Sequence, residues 1–135
     1  MSKRSQLWFL LLVIVQTMHS IEEYATELYL ILAPARFVAG LVSENLGLGF
    51  AVANALIVAF AFWCYLVPVR AGYRAARAIA WGWTIVELAN GVAHIAFAAN
   101  AGGYFSGVAT APLLVIAAAG LAMSLRSVDS PTAPR

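Results

Sequence analysis

Residues 46 to 69 form one apolar run without a single charged side chain. A run of that length matches the roughly 20 residues a helix needs to cross the hydrocarbon core of a bilayer, so the rest of the chain is read against it. Residues 102 to 125 are equally uncharged, with Pro112 as a candidate kink, and residues 78 to 101 carry one charge, Glu87. Residues 7 to 33 have apolar ends around a polar middle, and no small-residue cleavage site follows the first apolar stretch, so the spacing predicts a retained helix there.

The expected fold is therefore all-α integral membrane, one bundle of four transmembrane helices over about 7–33, 46–69, 78–101 and 102–125. Residues 1–126 would be the membrane domain and 127–135 a polar tail. Composition agrees, with 63% hydrophobic and 10% charged residues where soluble domains have about half and a quarter. The eight Lys and Arg give a net charge of only +2 and make no basic patch, which speaks against nucleic-acid binding. Cys64 is the only cysteine, which excludes an internal disulfide or a thiolate zinc site.

Cation placement sets topology in membrane proteins. With four spans, Lys3, Arg4, Arg70, Arg74, Arg77, Arg126 and Arg135 fall on one side and Arg36 alone on the other. Both termini are then expected in the cytoplasm of a multi-pass cell-membrane protein. Trp8, Trp63, Trp81, Trp83, Tyr65, Tyr73 and Tyr104 sit mostly near span ends as an interfacial belt, with Trp83 and Tyr104 also placed to wall a pocket.

Against this apolar background, four of the six acidic residues (Glu22, Glu23, Glu27 and Glu87) and both histidines (His19 and His94) lie inside the expected spans. Ionisable groups are expensive there and mark function. At about 100° per residue, Gln16, His19, Glu22, Glu23 and Thr26 share one helix face, with Glu27 at its edge, and Glu87, Asn90, Gly91 and His94 share another. Depths match too. His19 and Glu23 lie roughly 18 to 24 Å from the start of the first helix, and Glu87 and His94 roughly 14 to 24 Å from the start of the third.

A lone His or Glu in such a place is often only a packing partner, but a cluster of this size points to a cation. His and carboxylate ligands without thiolate suit iron, zinc or manganese. His19, Glu23, Glu87 and His94 are the expected ligands, with Glu22 as ligand or general base and Asn90 orienting a ligand or substrate. Glu22, Glu23 and Asn90 are the residues expected to act in catalysis.

The run His19-Ser20-Ile21-Glu22-Glu23 resembles the defining motif of the HXXEE family of small bacterial membrane proteins. Asn90-Gly91-Val92-Ala93-His94 is similar to its N-x-x-x-H signature, and Tyr104 to Ala111 looks like the segment opening its last helix. The family's function is uncharacterised, and its polar motifs imply an enzyme without naming a reaction.

The expectation is a membrane metalloenzyme, a hydrolase or oxidase, acting on a lipid-like or small apolar substrate that arrives through the lipid bilayer. Its rival is a proton-coupled transporter or ion carrier using the same cluster as a relay, which with four helices would have to work as a homo-oligomer. A third possibility is an accessory subunit whose cluster meets a partner helix.

Overall fold

The computed structural model describes residues 1–127, and the rest of the expected tail lies outside the described residues. Among the described residues there are six α-helices: α1 (Lys3–Ala25), α2 (Leu28–Ile31), α3 (Ala33–Val42), α4 (Leu46–Cys64), α5 (Ala76–Ala101) and α6 (Ala111–Arg126). α4 runs on as a π-helical turn over Tyr65–Val69. Pro68 has no N–H for the ordinary ladder, and the Arg70 N–H reaches back five residues to the Tyr65 carbonyl.

The expected bundle of four transmembrane helices is not what this chain builds. Among the described residues only Leu46–Val69 is long and apolar enough to cross a membrane. α1 has 23 residues but carries Lys3, Arg4, Glu22 and Glu23. α5 has 26 but includes Thr84, Glu87, Asn90 and His94. α6 has only 16, short of the roughly 20 that a span requires. The cation asymmetry presumed four crossings, so it no longer orients the termini.

Local chemistry explains the breaks in two of the lost spans. The expected helix over 7–33 stops at Ala25. There the Thr26 hydroxyl donates to the Glu22 carbonyl, and Glu27 takes up the left-handed conformation (φ 56°) that ends many helices. A second break comes at Leu32, which is extended. Pro34 cannot offer an N–H to the Leu30 carbonyl, which instead accepts from the Arg36 guanidinium. α3 then occupies what was expected to be a hairpin loop. Within the expected helix over 102–125, residues 102 to 110 are a loop. Pro112 begins α6 rather than kinking it, in the first turn where a missing N–H costs nothing.

α6 is sandwiched between α1 and α5, while α4 packs on the other side of α1 and carries α3 on its flank. The main core lies where α1 meets α6. Phe9, Leu12 and Val13 pack with Leu114, Ala117, Ala118 and Leu121, all buried. α3 comes so close to α4 that a side chain at Gly49 would overlap the Ala39 carbonyl. A cleft between α4 and α5 reaches α1 at Gln16 and Glu23 and is bordered on one side by Leu28, Leu32 and Val38 of the α2–α3 segment.

Candidate metal centre

Residues four apart on a helix stand one above the other on the same face, so α1 presents His19 and Glu23 together. α5 brings His94 across to them. His19, Glu23 and His94 are 0%, 7% and 2% exposed, and each offers a ligand atom within 4.8 Å of the other two. Glu23 Oε1 lies 3.4 Å from His19 Nε2 and 3.1 Å from His94 Nε2. The two imidazoles meet edge to face, with ring centroids 4.7 Å apart.

The other nitrogen of each ring is held from behind. His94 Nδ1 lies 2.5 Å from the Ser106 carbonyl, which can only accept, so that nitrogen carries the hydrogen. His19 Nδ1 lies 2.8 Å from Thr110 Oγ1. That hydroxyl has one proton and gives it to Glu22 Oε2, 2.6 Å away. Its lone pair therefore accepts from His19 Nδ1–H. Both neutral rings then aim bare Nε2 lone pairs at the Glu23 carboxylate. Three Lewis bases face one point, and His19 Nε2 is buried with no hydrogen-bond partner among the described residues. Histidines oriented by a carbonyl or carboxylate through the far nitrogen are a regular feature of metal sites. Two His with one carboxylate is a donor set used by zinc and by non-haem iron.

Without a cation, protons take up the strain. Burial raises the Glu23 carboxyl, but His19 and His94 outweigh it and hold the group below the usual carboxylate value. Burial pushes the His94 imidazole down, and the Glu23 carboxylate and Ser106 carbonyl pull it above its ordinary value. A proton on His94 Nε2 is the metal-free counterpart of a bound ion.

Glu22 is brought to the site but not into the cluster. It turns about 100° from Glu23 around α1 and grips the loop before α6. It accepts from the Ala109 and Thr110 N–H groups at 3.0 and 2.9 Å, and from the Tyr104 and Thr110 hydroxyls at 2.6 Å each. Burial raises its carboxyl, but these donors outweigh that and hold it low. Glu87 also stays outside the cluster, nearly two turns below His94. Buried at 2% exposure and in contact with Asn90, it is pushed up to about 7 by burial and by the nearby Glu23 charge. Glu27 is exposed at the α1–α2 break.

Thr110, Ser106 and Gly107 were not singled out from the residues themselves. The only signal for them was the Tyr104–Ala111 segment, which resembles the third family motif. Gly107 lies against both rings with φ +87°, and a Cβ there would fall 2.5 Å from His94 Nδ1 and 2.8 Å from His19 Cε1. Trp83 does wall a cavity, a cleft of about 460 Å³ between α4 and α5 that also borders Glu23, Glu87, Asn90 and His94.

The HXXEE family model, described as a protein of unknown function with HXXEE motif, matches residues 10–122. The chain belongs to that family, and the motif's spacing now has a geometric meaning. Its His and last Glu meet at the cluster, while its first Glu fastens the loop that backs His19. Neither a curated protein nor a solved structure matches the chain.

Proposed function

We propose that this chain is a membrane-associated metalloprotein in which His19, Glu23 and His94 hold one divalent cation, zinc, iron or manganese. It acts as an enzyme on a lipid-like or small apolar substrate. The observation that carries the reading is the convergence of two imidazole Nε2 atoms and one carboxylate oxygen, each ring fixed through its other nitrogen. Three protein ligands leave coordination positions for water or substrate, as catalytic sites require and closed structural sites do not. Glu22 and Asn90 serve by positioning, Glu22 through Thr110 and Asn90 through Glu87.

Membrane association is supported by the apolar exterior as well as by the Leu46–Val69 helix. Large apolar side chains such as Leu7, Phe37, Leu41, Leu56, Ile85, Val92 and Ile116 stand exposed on α1, α3, α4, α5 and α6. Exposed apolar surface on this scale marks contact with lipid or with other proteins.

The test is metal content per chain after purification without chelators. The expected result is one zinc, iron or manganese ion per chain, lost in His19→Ala and in His94→Ala. A parent protein that carries none of these ions and takes none up on titration overturns the reading.

A further inference from the structure

Burying a polar atom without a partner is costly, so each such atom raises the question of what meets it. Among the described residues three buried side-chain atoms have no hydrogen-bond partner: His19 Nε2, Gln16 Oε1 and Glu87 Oε2. The first belongs to the metal centre. The other two do not. Gln16, 6% exposed, spends its amide N–H on Ser20 Oγ at 3.1 Å and is left with a bare carbonyl. Glu87, 2% exposed, has Asn90 at one oxygen and nothing at the other. Both residues line the cleft between α4 and α5.

The same cleft continues beyond them with a different character. Ile57, Trp83 and Val86 border both the polar part and an extension of about 410 Å³, which runs on past Phe60, Trp63 and Cys64. Nothing in that extension can hydrogen-bond a polar ligand except the edges of the indoles and one thiol. The cavity therefore has two bare acceptors at one end and aromatic and aliphatic walls at the other. Pockets that place a few polar groups in an otherwise apolar lining fix a ligand's orientation through those groups.

We infer that this cleft binds a single-chain lipid-like molecule whose head is a hydrogen-bond donor, a primary amine or alcohol. The head lies against Glu87 and Gln16, and the chain lies along Ile57, Phe60, Trp63 and Trp83. This deepens the substrate class proposed above, but the binding itself needs no metal. A primary ammonium carries enough N–H groups for both orphaned oxygens and an alcohol one O–H for either of them, whereas an ester, a ketone or a bare hydrocarbon has no donor at all. It also sets the reacting end of the molecule on the His94 side of the cleft.

The experiment uses three probes of equal chain length, each brominated in mid-chain: a primary amine, a primary alcohol and an alkane. Quenching of tryptophan emission is titrated in the full chain in detergent, since Trp63 and Trp83 line the cleft. The amine and the alcohol are expected to quench saturably at concentrations about tenfold or more below the alkane, the worth of a hydrogen bond to a charged or buried acceptor. Glu87→Gln lowers amine binding to the level of the alcohol, and Glu87→Leu removes the preference for both. Gln16→Leu weakens both and serves where the Glu87 variants do not fold. His94→Ala, assayed free of metal, keeps the preference.

Equal binding of all three probes by the parent overturns the inference, as does a preference that survives both Glu87→Leu and Gln16→Leu. Loss of the preference in His94→Ala overturns it too, by placing the head on the histidines. A protein that shows the preference but never takes up metal keeps this subsite and loses the metalloprotein reading.

Discussion

Replacing Gly107 with alanine adds one carbon at the point where the loop before α6 touches both histidines. Two costs follow from the structure. At φ +87° an L-residue is strained, by roughly 1–3 kcal/mol. The new Cβ also falls 2.5 Å from His94 Nδ1. Ordinary contact begins near 3.4 Å, so the ring must retreat by about 0.9 Å. It cannot do so freely, because its Nδ1 is tied to the Ser106 carbonyl and its surroundings include Phe97 and Phe105. Metal–ligand distances tolerate only about 0.2 Å, so the affinity loss should reach at least the 10–100-fold seen when outer-shell support is removed. The assay is competition for zinc against a fluorescent chelator, run beside thermal melting. Gly107→Ala is expected to bind zinc at least about tenfold more weakly and to melt several degrees lower, at about 4 °C per kcal/mol for a chain of this size. A variant that binds zinc as tightly as the parent would refute the placement of Gly107 against the rings.

Three further outcomes separate the site from the scaffold. His94→Ala should lose its metal while melting close to the parent, whereas Cys64→Ala keeps the metal, because Cys64 sits in the apolar extension of the cleft; metal content per chain decides both. Glu22→Gln turns one of the two oxygens that anchor Thr110 and the loop N–H groups into an amide NH2, a donor facing donors. It should cost about 1–3 kcal/mol in stability and weaken zinc binding 10–100-fold, read by melting and chelator competition. Gly49→Ala forces a methyl group into the Ala39 carbonyl; it should lower the melting temperature by an amount equivalent to about 1–3 kcal/mol or more with zinc affinity unchanged, and a parallel loss of zinc would contradict the separation of the α3–α4 contact from the metal centre.

Periodicity put His19, Glu23 and His94 within reach of one another. His19 and Glu23 share a face because four residues make about one turn, and that is legible in any helix. The same arithmetic placed His94 at a matching depth. It also placed Glu22 and Glu87 in the cluster, and the structure does not. Face angle alone cannot distinguish a carboxylate that reaches the centre from one drawn to backbone N–H groups beside it. Glu22 goes to Ala109 and Thr110 because that loop presents two donors and two hydroxyls, and no spacing rule announces a loop's donors.

Hydropathy found Leu46–Val69 to the residue and misread the other three spans. The run over 46–69 has no competing signal: its only interruption, Pro68, is absorbed by a π turn. α5 is continuous as expected but carries Thr84, Glu87, Asn90 and His94, and in the other two runs apolar composition was read as helix continuity. The breaks at Thr26, Glu27 and Leu32 and the loop from 102 to 110 come from side chains that bond the backbone or a distant carboxylate. The loop's bonds to Glu22 exist only once α1 and the segment before α6 lie side by side, whereas the bonds at Glu22 O and Leu30 O are made by near neighbours in the chain. The sequence by itself determined the helical spacing that sets His19 above Glu23 and the apolar run over Leu46–Val69, because these depend on neighbours within a turn or on composition. Only the tertiary structure decided which carboxylate faces the histidines, which way each imidazole turns, and where the cleft lies. Those depend on contacts across as many as 91 residues of chain, such as His19 with Thr110, that no local pattern encodes.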